Sequence, residues 1–166
     1  MSYGLGIVMA ERYFEDVHVG DKTESATYTF QEAELIEYSK KYDPQVFHTD
    51  HKEAEKSIFG AIVASGTHTM AISFRLFMEI GLFGRSNLGG FAIDEVRLLK
   101  PVRAGDTIQV RSEIIEARPS KSKRDRGIVR VLNEVVNQEQ ALVMRYTVGH
   151  LVRRRPTEYV EPAFPR

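Results

Sequence analysis

The spacing of the apolar residues changes after residue 80, and that change limits the possible folds more than any other feature. Between residues 65 and 80, apolar side chains fall on nearly every side of a helix, which is typical of a buried helix. Four long β-rich runs follow, separated by turns, at residues 91–99, 107–117, 127–136 and 141–153. Long strands joined by short turns pair antiparallel. We therefore predict an α+β domain in which a curved antiparallel sheet surrounds the long helix.

The segment before this helix predicts one strand followed by one helix. Residues 23–30 are rich in Thr and Tyr and alternate roughly, as strands do. In residues 31–42 the apolar side chains recur at helical spacing. Thr29 and Glu32 have the spacing of a capping box, so we expect Thr29 to cap that helix.

Pro44 predicts where this helix ends. The residue before a proline is disfavoured in helical conformation, so the helix should end at Tyr42 and present Asp43 at its terminus. Asp50 is then well placed to cap a short helix over residues 51–57.

Composition excludes several classes of protein. The 166 residues suit one domain, residues 1–166, with a core over about 12–153. Basic and acidic residues number 23 each, so no net charge attracts nucleic acid or an anionic membrane. There is no cysteine, which excludes disulfides and thiolate chemistry.

The first ten residues lack the basic start of a signal peptide, and no uncharged stretch is long enough to span a bilayer. We therefore expect a cytoplasmic protein.

An acid and an imidazole lie five positions apart, at Asp43 and His48, in a segment that we expect to be a loop. The glycine-rich segment 60–66 follows and opens the long helix at Gly66. An acid, a base and the free N–H groups of a helix N-terminus are the parts needed to add or remove water next to a carbonyl. We therefore hypothesise that Asp43 and His48 share one catalytic water while the Gly66 amide holds the carbonyl oxygen.

These residues resemble a known family. Asp43, His48 and Gly66 at this spacing resemble the MaoC-like, (R)-specific enoyl-CoA hydratase branch of the hot-dog fold. Residues 99–107 are similar to that family's Pro-Val-x-x-Gly-Asp turn. The resemblance implies a hydro-lyase that acts across the 2,3-bond of an acyl-CoA thioester without a cofactor. It also implies a homodimer, or a larger assembly of dimers, with the ligand at the interface.

The sequence departs from the family pattern at two places. The usual loop reads Asp-x-Asn-Pro-aliphatic-His, whereas residues 43–48 read Asp-Pro-Gln-Val-Phe-His, a form that resembles a subgroup of MaoC-like dehydratases. Members of the family also place a serine on the central helix to bond the aspartate. Here that position is Phe74, and the adjacent Ser73 points elsewhere on an ideal helix. The sequence leaves the partner of Asp43 open.

The chemistry that the resemblance implies fits these residue types. His48 can take a proton near neutral pH, and Asp43 can hold the water and exchange the proton at the α-carbon. The Gly66 N–H can donate to the developing enolate oxygen, and the missing side chain allows a thioester to approach closely. Each residue also has a structural interpretation, since Asp-Pro ends helices, histidines pack against aromatics, and glycine permits close helix packing.

Further candidates for substrate binding either adjoin these positions or could neutralise the phosphates of coenzyme A. They are Gln45, Phe47, Ser65, Thr67, His68, Arg97, Arg103, Lys123 and Arg124. The basic runs at residues 121–126 and 153–155 are equally consistent with solvated charge. An apolar stripe of Phe59, Met70, Phe74 and Phe77 could form an acyl tunnel, although such stripes usually belong to the core.

Two other functions remain open, a hot-dog thioesterase and a non-catalytic subunit that binds acyl thioesters. We expect no metal site, because Asp50 is explained as a helix cap rather than as a ligand beside His48 and His51. For the dimer, we expect an exposed edge strand carrying Val129, Val131 and Val135.

Overall fold

A computed structural model of the chain describes residues 12–156. The helices in this part of the chain are α1 (Glu32–Tyr42), α2 (Val46–Thr49), α3 (His51–Lys56) and α4 (Gly66–Glu79). The strands are β1 (Lys22–Thr29), β2 (Asn87–Leu98), β3 (Thr107–Pro119), β4 (Arg126–Asn137) and β5 (Leu142–Arg153). Every predicted element is present within a few residues of its expected bounds. Among residues 12–156, no helix combines the length and the apolar character needed to cross a membrane.

All five strands join in one antiparallel sheet with the order β1-β3-β4-β5-β2. Helix α4 packs against β1 and β3, and its residues Ile72, Leu76 and Phe77 enter the main apolar core. The predicted α+β class, with the long helix against an antiparallel sheet, is confirmed.

Helix α4 begins and ends where its sequence predicts. Ser65 is the N-cap, and its side chain accepts the Thr67 N–H. Gly81, just beyond the end, has φ 67°, a conformation that favours glycine at a helix C-terminus. One expectation is wrong, because the helix is not buried all round. Its side carrying Ala71 and Arg75 is exposed, since the sheet of a single chain covers only the opposite side.

The expected position of the valine-rich strand is also wrong. β4, which carries Val129, Val131 and Val135, is the central strand, and these three side chains are fully buried. The edges of the sheet are β1 and β2 instead. Strand order depends on long-range pairing, so the alternation of valines along β4 could not reveal it.

Two local predictions differ from the structure. Thr29 does not cap α1, because it is the last residue of β1 and its hydroxyl lies 2.7 Å from that of Thr107. Gln31 takes the N-cap position without a side-chain bond. The single turn α2, in the segment predicted as a loop, is too short to produce a periodic pattern.

The two ends of the described chain are tied together. Arg154 Nε lies 2.7 Å from Glu15 Oε1, and an Arg155 guanidinium nitrogen lies 2.8 Å from both carboxylate oxygens of Asp16. The nearby Phe14 ring lies directly over Gly127, where any Cβ would collide with it. This clamp, formed by Glu15, Asp16, Arg154 and Arg155, closes the end of the sheet at which β4 begins and β5 ends.

Candidate active site

Asp43 and His48 come together because α1 ends at one and a single helical turn carries the other. Asp43 is the C-cap of α1, and its N–H donates to the Ser39 carbonyl at 2.9 Å. The chain then turns at Gln45 into α2, which holds His48. His48 Nε2 lies 3.5 Å from Asp43 Oδ2. The imidazole is buried, whereas the carboxylate is partly exposed.

A backbone carbonyl sets the tautomer of His48. Its Nδ1 lies 2.7 Å from the Val63 carbonyl oxygen, which can only accept a hydrogen bond. Nδ1 therefore carries a proton, and in the neutral form of the ring Nε2 is unprotonated and faces Asp43. Two acceptors, Nε2 and the carboxylate Oδ2, thus face the same small space.

Two side chains hold the Asp43 carboxylate. Ser65 Oγ donates to Oδ2 at 2.6 Å, and Gln45 Nε2 donates to Oδ1 at 2.9 Å. These hydrogen bonds, that of Ser65 above all, lower the pKa of Asp43 below its usual value, and the neighbouring His48 adds to the effect. Asp43 therefore stays ionised at neutral pH.

The serine that holds Asp43 is thus Ser65, at the N-cap of α4. Ser65 was predicted to bind substrate, but its side chain is fully buried and lies behind the carboxylate. Ser73 bonds the Met70 carbonyl instead. The sequence did not reveal this partnership because it joins residues 22 positions apart.

A cleft of about 650 Å³ opens beside this pair. Of the predicted residues, Asp43, Gln45, Phe47, His48, Gly66 and Thr67 line it. Its walls are mostly apolar and include Phe59, Val63, Ala64, Met70, Val102 and Val143. Strand β2 and the residues after it add Val96, Leu98, Leu99, Lys100 and Pro101. A carboxylate and an imidazole at the edge of an apolar cleft suit a ligand with one polar group and a hydrophobic chain.

Gly66, the first residue of α4, lies under a side chain from β2. A Cβ at this position would stand 2.4 Å from Leu98 Cδ1, so glycine permits that approach. N–H groups in the first turn of a helix have no partner within the helix. The Thr67 N–H is satisfied by Ser65 Oγ at 3.2 Å, which leaves the Gly66 N–H at the edge of the cleft as a potential donor.

His68 is not among the residues that line the cleft. Its ring stacks on Tyr38 with centroids 4.1 Å apart, and its Nε2 lies 3.2 Å from Glu34 Oε1. Burial lowers its pKa, against the opposing effect of Glu34. Of the apolar stripe that could have formed an acyl tunnel, Phe59 and Met70 line the cleft, whereas Phe74 and Phe77 do not.

Two predicted cations near the Pro-Val turn do not line the cleft either. The Arg103 guanidinium donates to the Phe59 carbonyl at 2.7 Å, and its backbone N–H donates to the Asp106 carboxylate at 2.7 Å. Arg103 therefore fixes the turn and the loop beside the cleft. Arg97 lies on β2 with its side chain exposed.

Lys123 and Arg124 lie at the far end of the sheet. They occupy the turn between β3 and β4, next to Gly127, which pairs with Val152 on β5. The cleft lies beside Val143 on the same strand. Nine residues of extended chain separate Val143 from Val152, roughly 30 Å. Within one chain, these two cations therefore lie far from the residues that line the cleft.

Sequence reasoning missed Lys100, the only cation among the described residues that line the cleft. Its N–H donates to the Val143 carbonyl at 3.2 Å, which fixes its backbone beside the cleft. Its place immediately before Pro101, the first residue of the recognised turn, was the available clue.

Residues 12–156 contain no group of three histidine or acidic side chains arranged to hold a metal ion. Asp50 caps α3 as predicted, accepting the Glu53 N–H at 3.0 Å. His51 lies 3.4 Å from Glu32.

A family model described as the MaoC-like domain matches residues 15–138. The chain belongs to the MaoC-like domain family. The solved structure of the MaoC-like dehydratase from Rhodospirillum rubrum is 36% identical, with a TM-score of 0.81 over 87% of this chain and 99% of that one. The uncharacterized protein YdeM of Bacillus subtilis is 27% identical over 140 residues, 84% of this chain and 98% of that protein.

The fold has a further solved relative. (R)-hydratase PhaJ1 from Pseudomonas aeruginosa aligns with a TM-score of 0.67 at 21% identity, covering 94% of this chain and 97% of that one. This likeness concerns the fold, and with the family match it confirms the predicted hot-dog architecture.

Proposed function

We propose that this protein adds or removes water across the 2,3-bond of an acyl-CoA thioester, interconverting a 2-enoyl and an (R)-3-hydroxyacyl ester. The observation that carries the proposal is the 3.5 Å approach of His48 Nε2 to Asp43 Oδ2 at the edge of an apolar cleft. The hydratase and dehydratase activities named for its structural relatives support the same reaction.

The two facing acceptors account for the handling of water. One water molecule can donate one O–H to His48 Nε2 and the other to Asp43 Oδ2. In hydration, His48 takes the first proton while the oxygen bonds the β-carbon. The electron pair of the double bond moves toward the thioester oxygen, and the Gly66 N–H donates a hydrogen bond that stabilises the negative charge there. His48 then passes this proton to Asp43, and Asp43 delivers it to the α-carbon, so that both groups end in their starting protonation states.

The direct experiment offers the protein a panel of 2-enoyl-CoA esters of increasing chain length. We expect the absorbance of the conjugated ester to fall without release of thiol, and chiral analysis to find the (R)-3-hydroxy product. Release of free CoA thiol would identify a thioesterase instead. Unchanged crotonyl-CoA at high protein concentration, despite measurable binding, would indicate a non-catalytic subunit.

We also propose that two copies pair along β2. This edge strand exposes a row of large apolar side chains: Phe91, Ile93, Val96, Leu98 and the following Leu99. Three of them, Val96, Leu98 and Leu99, also form one wall of the cleft. A second copy lying along β2 would bury the row and cover that wall, so the complete site would require the dimer.

A charge placed on β2 tests this pairing. We expect Ile93→Lys to convert a dimer into a monomer in analytical ultracentrifugation and to lower hydratase activity. Ile115→Lys, at an exposed apolar residue of β3, is the matched control and should leave the assembly unchanged. A wild-type monomer, or equal effects of the two substitutions, would contradict pairing through β2.

A further inference from the structure

We propose that Ser65 is a positioning residue whose single hydroxyl ties the carboxylate of Asp43 to the start of the helix that presents the Gly66 amide. The inference rests on the proposed hydration for its effect on catalysis, although the contacts themselves do not depend on it.

The three contacts of Ser65 Oγ determine the direction of each hydrogen bond. Oγ lies 2.6 Å from Asp43 Oδ2, 2.8 Å from Thr67 Oγ1 and 3.2 Å from the Thr67 nitrogen. A hydroxyl has one proton to donate and two lone pairs. An ionised carboxylate only accepts, so Ser65 gives its proton to Asp43. Its lone pairs then accept both the N–H and the hydroxyl of Thr67.

This arrangement joins the two halves of the site through one atom. Asp43 belongs to the end of α1, whereas Gly66 lies between Ser65 and Thr67 at the start of α4. Because Ser65 Oγ bonds both elements, the carboxylate and the amide cannot shift independently. Ser65 is fully buried, so water cannot easily replace its hydroxyl.

The other groups near the carboxylate cannot supply this link. Gln45 donates to Oδ1 but is exposed and lies on the same loop as Asp43. His48 offers an acceptor, and Lys100 lines the cleft without an ion-pair partner among residues 12–156. Ser65 alone among these residues also contacts the first turn of α4.

The chain offers a matched control for a serine deletion. Ser112 is also buried, and it also donates at 2.6 Å to a side-chain acceptor, Asn133 Oδ1, but it does not line the cleft. Both Ser65→Ala and Ser112→Ala should destabilise the fold, Ser65→Ala by more because Ser65 also caps α4. Only Ser65→Ala removes a hydrogen bond to Asp43.

Two measurements test the role. The pH titration of the Asp43 carboxyl carbon, followed by NMR and assigned with Asp43→Asn, should move to higher pH in Ser65→Ala and stay in place in Ser112→Ala. The kcat of hydration should fall roughly ten- to hundredfold in Ser65→Ala, with a small change in KM. Thr67→Val, which removes only the hydroxyl that donates to Ser65, should shift the titration in the same direction by less.

The outcomes separate this inference from the proposed function. A wild-type protein that hydrates no ester contradicts the proposed function, while the NMR titration still decides whether Ser65 holds Asp43. If the wild type is active but Ser65→Ala leaves the Asp43 titration or kcat unchanged, the inference is overturned. It is also overturned if Ser112→Ala changes the titration and kcat as much as Ser65→Ala does. If Ser65→Ala does not fold, the variant Thr67→Val serves as the test instead, because Thr67 is exposed. An unchanged Asp43 titration in Thr67→Val would then overturn the inference.

Discussion

The two ends of α4 each adjoin a cavity that contains a buried histidine, but the two histidines have different partners. At the N-terminal end, His48 bonds a carbonyl through Nδ1 and presents Nε2 to Asp43. At the C-terminal end, His150 lines a cavity of about 170 Å³ between the rings of Phe77 and Phe83. Its Nδ1 lies 3.4 Å from the Asn87 side-chain oxygen, and its Nε2 has no partner among residues 12–156.

The difference shows what distinguishes a candidate catalytic histidine from a packed one. Burial without a facing carboxylate lowers the pKa of His150 to about 4, so that ring stays neutral. His48 is equally buried, yet a carboxylate and a cleft lie on its free side. Burial of the imidazole is common to both, so the facing acid is the feature that identifies the candidate site.

The largest expected effect comes from replacing each histidine by glutamine. His48→Gln should lower kcat for hydration about 10²–10⁴-fold, because it removes the base. His150→Gln should leave kcat within about twofold of wild type by the same reasoning, since no reacting group faces it. Stopped-flow absorbance of an enoyl-CoA ester measures both. Similar losses of kcat in His48→Gln and His150→Gln would contradict the assignment of the active site to the N-terminal end of α4.

Acid should destabilise the protein through His150. Its pKa is about 4 in the fold against 6.5 in the unfolded chain, so between these values the unfolded state binds more protons and stability falls as the pH falls. From pH 7 to pH 4, this group should lower the free energy of unfolding by about 3 kcal/mol. Urea titrations at both pH values should show a smaller acid-induced loss in His150→Gln. An identical loss in the variant would contradict a neutral, buried His150.

The glycines at the two ends of α4 should respond differently to alanine. Gly81→Ala forces a side chain into a positive-φ conformation, which should cost about 1–2 kcal/mol of stability without loss of activity. In Gly66→Ala, the added Cβ would contact only the end of the exposed Leu98 side chain, which can rotate away. Its new methyl group would obstruct a thioester, so kcat/KM should fall about tenfold. Thermal melts of both variants measure the loss of stability, and steady-state kinetics measure kcat/KM. If kcat/KM is unchanged in Gly66→Ala, Gly66 serves only in packing.

The smallest expected effect concerns the cations. Lys100→Met should raise the KM for CoA esters by up to about fivefold, the range expected for an exposed ion pair. Lys123→Met, at the far end of the same sheet, should leave KM unchanged if one chain forms the whole anion site. A larger effect of Lys123→Met would show that the turn between β3 and β4 of a second copy reaches the cleft.

Much of the fold could be predicted from local sequence. Pro44 correctly placed the end of α1 and delivered Asp43 at a helix terminus, and the change of apolar period separated α4 from the strands. The errors arose where long-range pairing decides. Thr29 forms a strand end although its spacing to Glu32 suits a capping box, and the valines of β4 lie in the sheet centre.

The candidate site could be predicted only in part for a related reason. Asp43 and His48 are close in sequence, so a motif revealed them. The bond from Ser65 to Asp43 depends on how α1 and α4 meet, and the distance of Lys123 from the cleft depends on strand register. Charge and residue type identify candidates, but neither determines which surface they reach.

The clamp between Glu15, Asp16, Arg154 and Arg155 has a practical consequence. Because it holds Glu15 and Asp16 beside Arg154 and Arg155 at the end of the sheet far from the cleft, a linker that joins residue 156 directly to residue 12 could close the backbone into a ring. New termini could then be opened in the turn between β3 and β4. Such circular permutants should keep the mouth of the cleft unobstructed.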